Sequence, residues 1–278
     1  INNMVHIYDI KSYKKVTAKK EVIARENTTK IMMNSSNWVF SQISGISSVK
    51  LDEDGYTVLE NFTDHINENN NAWSNEILEQ YYKTFICGHN FLEHEQIEKK
   101  SYGFIVDAKI RDVDLGGGEI NKYVDLLIAT AKSGTPNDKI AIEIANGNRA
   151  KWSMGCSSSS IRCSKCGTIS ADDNNDCKHV KYDSGKKYIT NKGKKSKIAI
   201  LVSNLNEEDE SNTPTGWVRF IEMSSVKDPA FKGAVSSHVL DIDDGKELYF
   251  EIEDEYFNRE DFNGCKQWIS KQLVSVIK

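Results

Sequence analysis

Three residues far apart in this sequence have the right types for acyl transfer, and a separate cluster has the right types for holding a metal. Ser153 lies in Lys151-Trp152-Ser153-Met154-Gly155-Cys156. A serine on a strand, followed two residues later by glycine, can present its hydroxyl with little steric cover. Such a hydroxyl is a poor nucleophile until a base removes its proton. His94, in Asn90-Phe91-Leu92-Glu93-His94-Glu95, is the candidate base, because neutral imidazole accepts a proton near physiological pH. His89 lies shortly before it and is the rival. Glu222 sits in Phe220-Ile221-Glu222-Met223-Ser224-Ser225-Val226, among apolar strand residues. A carboxylate there is costly to bury unless it is paired, and orienting a catalytic imidazole is one way to pair it. Each residue alone also has a plain structural reading: a strand hydroxyl, a surface histidine, an exposed strand face.

The cysteines argue for metal. Of six, four fall between 156 and 177. Cys163-Ser164-Lys165-Cys166 is a CxxC turn, and Cys177-Lys178-His179 follows it. A CxxC turn places two thiolates on one ion, and a Cys and a His from a second segment complete a tetrahedron. Cys177 and His179, two residues apart, reach to the same side of an extended chain. Four N/S ligands leave no open position, so the expected ion is a structural Zn2+. Gly167 suits the tight knuckle. Cys156 is the competing ligand, but is expected as a small core residue. The chain starts with no signal-peptide core, so a disulfide framework is not expected.

Around these residues the elements read as mainly β. Strands are expected at Tyr56–Phe62, Tyr102–Ile110, Tyr123–Thr130, Ala150–Ser157, Ile198–Val202, Trp217–Val226 and Glu247–Ile252. Ser74 caps an expected helix over Asn75–Tyr82. Pro136-Asn137-Asp138 opens another, with Ile140, Ala141, Ile144 and Ala145 on one face and Asn146-Gly147 as its stop. Phe262, Cys265, Ile269, Leu273 and Val276 form a helical stripe through 261–277. Residues 1–55 read as an irregular N-terminal arm with one helix near 14–25. Residues 56–235 form the main domain, with 157–197 as a metal-held insertion too polar to make its own core. Residues 236–278 form an acidic extension ending in a helix. The whole is expected as an antiparallel sheet or an antiparallel β-barrel flanked by helices (mainly β, α+β), with a zinc-ribbon-like insertion.

Bulk properties narrow the classes. Apolar residues make up 38%, enough for a packed core, and the net charge of −5 argues against a dedicated nucleic-acid binder. The insertion is basic, but it has few aromatics on which bases could stack. No run of about 18 apolar residues exists, so no transmembrane helix is expected.

In order and spacing, these segments resemble the head-maturation (prohead) proteases of tailed phages, distant relatives of the herpesvirus assemblin. The resemblance runs through His94, then Gly103 with Phe104–Ile110, the helix over 137–146, Ser153-Met154-Gly155, and Glu222-Met223-Ser224 followed by Pro229-Ala230. It covers roughly residues 60–235. A phage subgroup is also similar around Ser153-Met154-Gly155-Cys156 and in the Cys163 and Cys177 motifs. The resemblance implies a barrel carrying a Ser–His dyad with a third member, a histidine in the herpesvirus branch and an acidic residue in phage. Here Glu222 is the expected third residue, with Asp107 and Asp125 as rivals. It also implies capsid, scaffold or portal proteins as partners, an oligomeric setting, and a place in the virion or prohead assembled in the host cytoplasm. Two functions follow: a maturation endopeptidase, or a non-catalytic virion structural protein on the same fold.

Overall fold

The computed structural model describes residues 27–49, 65–114, 120–202 and 217–277. The expected helix near 14–25 and the expected strand Tyr56–Phe62 lie outside these residues. The described strands, in chain order, are β1 (Thr28–Asn34), β2 (Trp38–Ser47), β3 (Asn71–Trp73), β4 (His89–Leu92), β5 (Gly103–Asp114) and β6 (Ile120–Ala131). They continue with β7 (Trp152–Ser158), β8 (Ile161–Cys163), β9 (Ile169–Ser170), β10 (Lys187–Ile189) and β11 (Lys195–Lys197). The last five are β12 (Ile200–Val202), β13 (Val218–Ser225), β14 (Ser236–Asp241), β15 (Glu247–Glu253) and β16 (Val274–Ile277). The protein is mainly β.

The main sheet has seven strands in the order β14-β2-β6-β5-β4-β13-β7. Its ladders are antiparallel except β4 beside β13, which run parallel. Residues 124–131 of β6 are buried without a break, as expected of a central strand covered on both faces. Gly103 lets β5 close onto β6, because a Cβ there would lie 1.8 Å from the Ala129 carbonyl oxygen. Trp38 is the keystone of the core: its ring meets Phe104 edge-on at 5.7 Å and Trp268 at 5.4 Å. The sheet does not close into a barrel. Its end strands β7 and β14 approach at their beginnings, where Lys151 bridges Val235, Trp152 N donates to Ala234 O (2.9 Å) and Ser236 N donates to Ala150 O (2.7 Å), without forming a ladder.

Helices cover the sheet. Asn75–Tyr81 starts at Ser74, whose hydroxyl accepts from Ile77 N, and Lys139–Ala145 buries Ile140, Ala141 and Ile144. Both match the sequence pattern closely.

Two readings are corrected. Residues 28–47 are not irregular: β1 and β2 are long strands, and β2 lies inside the main sheet between β6 and β14. The helical stripe of 261–277 is helical only over Gly264–Ser270. Gln272 takes φ +60°, a left-handed conformation that stops the helix, and β16 then pairs with β1. The first described strand and the last two thus make a second sheet, β15-β1-β16. A third sheet, β3-β12-β8-β9, carries the CxxC turn.

Candidate active site and metal centre

Strand β13 organises the first site. It pairs with β7 so that Ser224 faces Ser153 and Glu222 faces Gly155, which puts all four on one face of the sheet. A bulge between Phe220 and Glu222 inserts Ile221 without a partner on β7. Phe220 still packs inward, its ring stacked on Phe85 at 4.2 Å, while Glu222 is re-aimed at the face that holds Ser153.

His94 is delivered from the other side. After β4, Glu93 and His94 both take positive φ (49° and 60°), turning the chain back over the end of β13. The turn is tied down by Glu93 N donating to Ser225 O (3.0 Å), Lys227 N donating to Glu93 Oε1 (3.1 Å) and His94 N donating to Ser224 Oγ (3.3 Å). Two left-handed non-glycine residues cost on the order of 1–3 kcal/mol each, so this turn persists only because its surroundings hold it.

The result is a hydrogen-bonded set. His94 Nδ1 lies 2.7 Å from Glu222 Oε1, which Gln96 Nε2 also approaches at 3.4 Å. Ser224 Oγ donates to Glu222 Oε2 at 2.6 Å. Glu222 is fully buried, yet both its oxygens are satisfied. The bond to Glu222 raises the pKa of His94 above the ordinary histidine value, against the opposing effect of burial. With Nδ1–H held by the carboxylate, Nε2 is the nitrogen left to accept a proton. Gly155 makes the set possible: a Cβ there would sit 2.5 Å from Glu222 Oε1 and 2.8 Å from Gln96 Nε2.

Ser153 and His94 line the same cavity, of about 290 Å³, with Met154, Gly155, Asn71, Trp73 and Phe231 among its other walls. Ser153 is 8% exposed. Among the described residues its hydroxyl makes no hydrogen bond, so it faces the cavity ungripped.

The rivals lie elsewhere. His89 is fully buried, and its Nδ1 meets Ser101 Oγ at 2.9 Å. Ser101 donates to Gly103 O, so it accepts from His89 and leaves Nε2 buried without a partner. Burial pushes its pKa down to about 4, with Arg259 and Lys271 adding to the effect. Asp125 is engaged by Arg111 Nε (2.5 Å) and Ser44 Oγ (2.6 Å), and Asp107 Oδ1 accepts from Ala108 N. Neither carboxylate touches His94. Cys156 lines the cavity and packs against the core, and burial pushes its thiol up to about 11. The sequence reading did not single out Gln96, nor Ser224 as a partner of the carboxylate. Ser224 was within reach, since its place two residues after Glu222 puts both on one face.

The second site is the cysteine cluster. The ligand atoms of Cys163, Cys166, Cys177 and His179 all lie within 4.8 Å of one another, and the cysteines are free. Cys166 Sγ is 3.5 Å from Cys177 Sγ, and Cys177 Sγ is 3.9 Å from His179 Nδ1. A tetrahedral ion with Zn–S bonds near 2.3 Å needs ligand separations of about 3.8 Å. The knuckle is formed as such sites require: Lys165 N donates to Cys163 Sγ at 3.4 Å, and Gly167 takes φ +72°. Three thiols and an imidazole so placed can hold a metal ion. Cys156 is not part of the group.

No helix among the described residues is long and apolar enough to cross a membrane. No family model, no curated protein and no solved structure matches this chain.

Proposed function

We propose that the chain is a serine endopeptidase of phage head maturation, trimming scaffold and capsid proteins in the assembling prohead. The observation that carries the reading is the 2.7 Å contact between His94 Nδ1 and Glu222, with the Ser153 hydroxyl opening into the cavity that His94 lines. In this mechanism Ser153 Oγ attacks the scissile carbonyl carbon, and its proton passes to His94 Nε2. The tetrahedral intermediate collapses as His94 returns that proton to the leaving amine. Water, deprotonated by the same nitrogen, then releases the acyl group. Glu222 holds the tautomer and stabilises the imidazolium. Ser224 and Gln96 hold Glu222. The Met154 N–H is the candidate oxyanion donor: Trp152 N donates to Ala234 O on the outer edge of β7, and strand alternation turns Met154 N to that edge beside the cavity.

The assignment to capsid, scaffold or portal proteins, and to the virion or prohead, rests on the order and spacing of the motifs. The metal is proposed as a structural Zn2+ held by Cys163, Cys166, Cys177 and His179, since three thiols and an imidazole are the donors zinc favours. Its contribution is folding free energy rather than chemistry.

One observation favours a second reading, a virion structural protein that no longer cleaves. Ser153 Oγ and His94 are not hydrogen-bonded to each other, although such bonds are often long before substrate binds. Co-expression with the capsid and scaffold proteins separates the two. Cleavage by the wild type and none by Ser153→Ala supports the peptidase. Intact partners with both proteins supports the structural role.

A further inference from the structure

The metal cluster lies on the third sheet and Ser153 on the main sheet, but the cavity takes a wall from each, and one backbone path joins cluster to wall. The knuckle residue Ser164 is clamped to the segment entering β12: its N donates to Ala199 O (3.0 Å), its hydroxyl donates to Lys197 O (3.0 Å), and Ala199 N donates back to that hydroxyl (2.8 Å). Cys163 itself pairs with Ile200. On its other side β12 pairs in parallel with β3, matching Ile200 to Asn71 and Val202 to Trp73. Ile200 N donates to Asn70 O at 2.8 Å. Asn71 and Trp73 line the cavity that holds Ser153 and His94. One metal ligand is therefore a single strand away from the cavity wall.

That wall draws part of its support from the main core, through Trp73 and Val202, and the rest from its own lobe. The core of this lobe consists of Val49, Ala72 and Leu201, with Ile66 packed on it. So few apolar side chains cannot offset the ordering of several short strands, and lobes this small depend on a staple. The turn before β3 is shaped by Asn67, whose Oδ1 accepts from Asn69 N (3.0 Å) and Asn71 N (2.9 Å). It is held by β12 on one side and by Glu68 N donating to Ala230 O (2.9 Å) on the other.

We infer that metal bound by Cys163, Cys166, Cys177 and His179 sets the geometry of the Asn67–Trp73 wall, making these four residues positioning residues for substrate binding. The inference rests on the zinc reading above. It assigns the metal to the substrate wall, not to the Ser153, His94 and Glu222 set, which is built on β13 and the turn after β4. Loss of the ion then loosens one side of the cavity and leaves the catalytic side chains in place.

The test is hydrogen exchange on the full chain, purified with zinc, and compared before and after chelation and in Cys166→Ser. Cys166 is the exposed ligand, so its replacement leaves the main core untouched. The expected result is exchange at least about tenfold faster at the amides of 69–73, with 152–158 and 218–225 unchanged. Cys166→His, which keeps four ligands, should restore protection. Faster exchange confined to 160–199, or spread over the whole chain, would overturn the inference. With a cleavable peptide, metal loss should raise KM with kcat held; a fall in kcat alone would contradict it. A chain that binds metal but cleaves nothing still decides the matter by exchange. A chain that purifies without metal and binds no added zinc overturns both this inference and the zinc reading.

Discussion

Ser153, His94 and Glu222 lie far apart in sequence and meet only through β13, so their value as a set rests on distances that no local pattern encodes. Two predictions belong at this scale. His94 has a pKa raised by its bond to Glu222. The base must be neutral to act, so kcat/KM should rise with pH through a limb lying above the ordinary value of about 6.5. Glu222→Gln should move that limb down and cost roughly 10²–10⁴-fold in kcat, as loss of an orienting carboxylate does. The stability linkage has the opposite sense. The charged pair stabilises fully below about pH 6.5 and is lost as pH rises through the raised folded value. A pH–rate profile of wild type and variant checks both the limb and its shift. The second prediction concerns Gly155. Gly155→Ala drives a Cβ into Glu222 and should abolish measurable cleavage while costing about 1–3 kcal/mol in denaturant stability. Wild-type activity in that variant would mean the His94–Glu222 contact is not needed.

At the scale of elements, the chain shows what a sequence can and cannot reveal. The helices at 75–81 and 139–145 were legible because cap, apolar face and stop agree. The strand carrying Glu222 was legible because β-branched and aromatic residues cluster there, and the strand carrying Ser153 because it is short and apolar at its centre. The four candidate metal ligands were legible from their types and spacing, but Cys177 and His179 converge through a helical turn over Lys178–Asp183 and not along an extended chain. The bulge at Ile221 was not, since alternation predicts a regular strand and only the β7 register reveals the extra residue. The left-handed pair Glu93–His94 was equally hidden, because neither side chain favours that conformation and tertiary bonds impose it. Strand β1 alternates Ile31 and Met33 inward, but it follows a polar, basic stretch that masks it. The element holding His89 makes its own prediction. Burial keeps that ring neutral, with a folded pKa of about 4 against about 6.5 unfolded. Stability is therefore full above about pH 6.5 and should fall by on the order of 3 kcal/mol as pH drops toward 4. His89→Asn, which keeps a donor for Ser101, should flatten that slope in urea titrations at several pH values. An unchanged slope would show that His89 is not its source.

For the whole molecule, the first described strand and the last two belong to one sheet. β1 lies between β15 and β16, closing that sheet over the core. Acidic side chains of β15 alternate outward, while Leu248, Phe250 and Ile252 point in. The acidity that suggested a separate extension is the solvent side of a packed strand. Trp38, on β2 of the main sheet, packs on Phe104 of β5 and on Trp268, which ties the last helix to that sheet. Trp38→Ala should cost about 3–5 kcal/mol, read as a lowered urea midpoint. A loss under 1 kcal/mol would mean the layers are held together by something other than this contact.

The central claim is that the hydroxyl at 153 is activated by the imidazole at 94. Treatment with an organofluorophosphate, followed by peptide mass spectrometry, tests it most directly, because only an activated serine reacts at an appreciable rate. The account predicts one phosphoryl adduct, on Ser153, lost in His94→Ala and slowed in Glu222→Gln. Absence of any adduct on a folded wild-type chain, or an adduct on Ser153 that persists without His94, would contradict it.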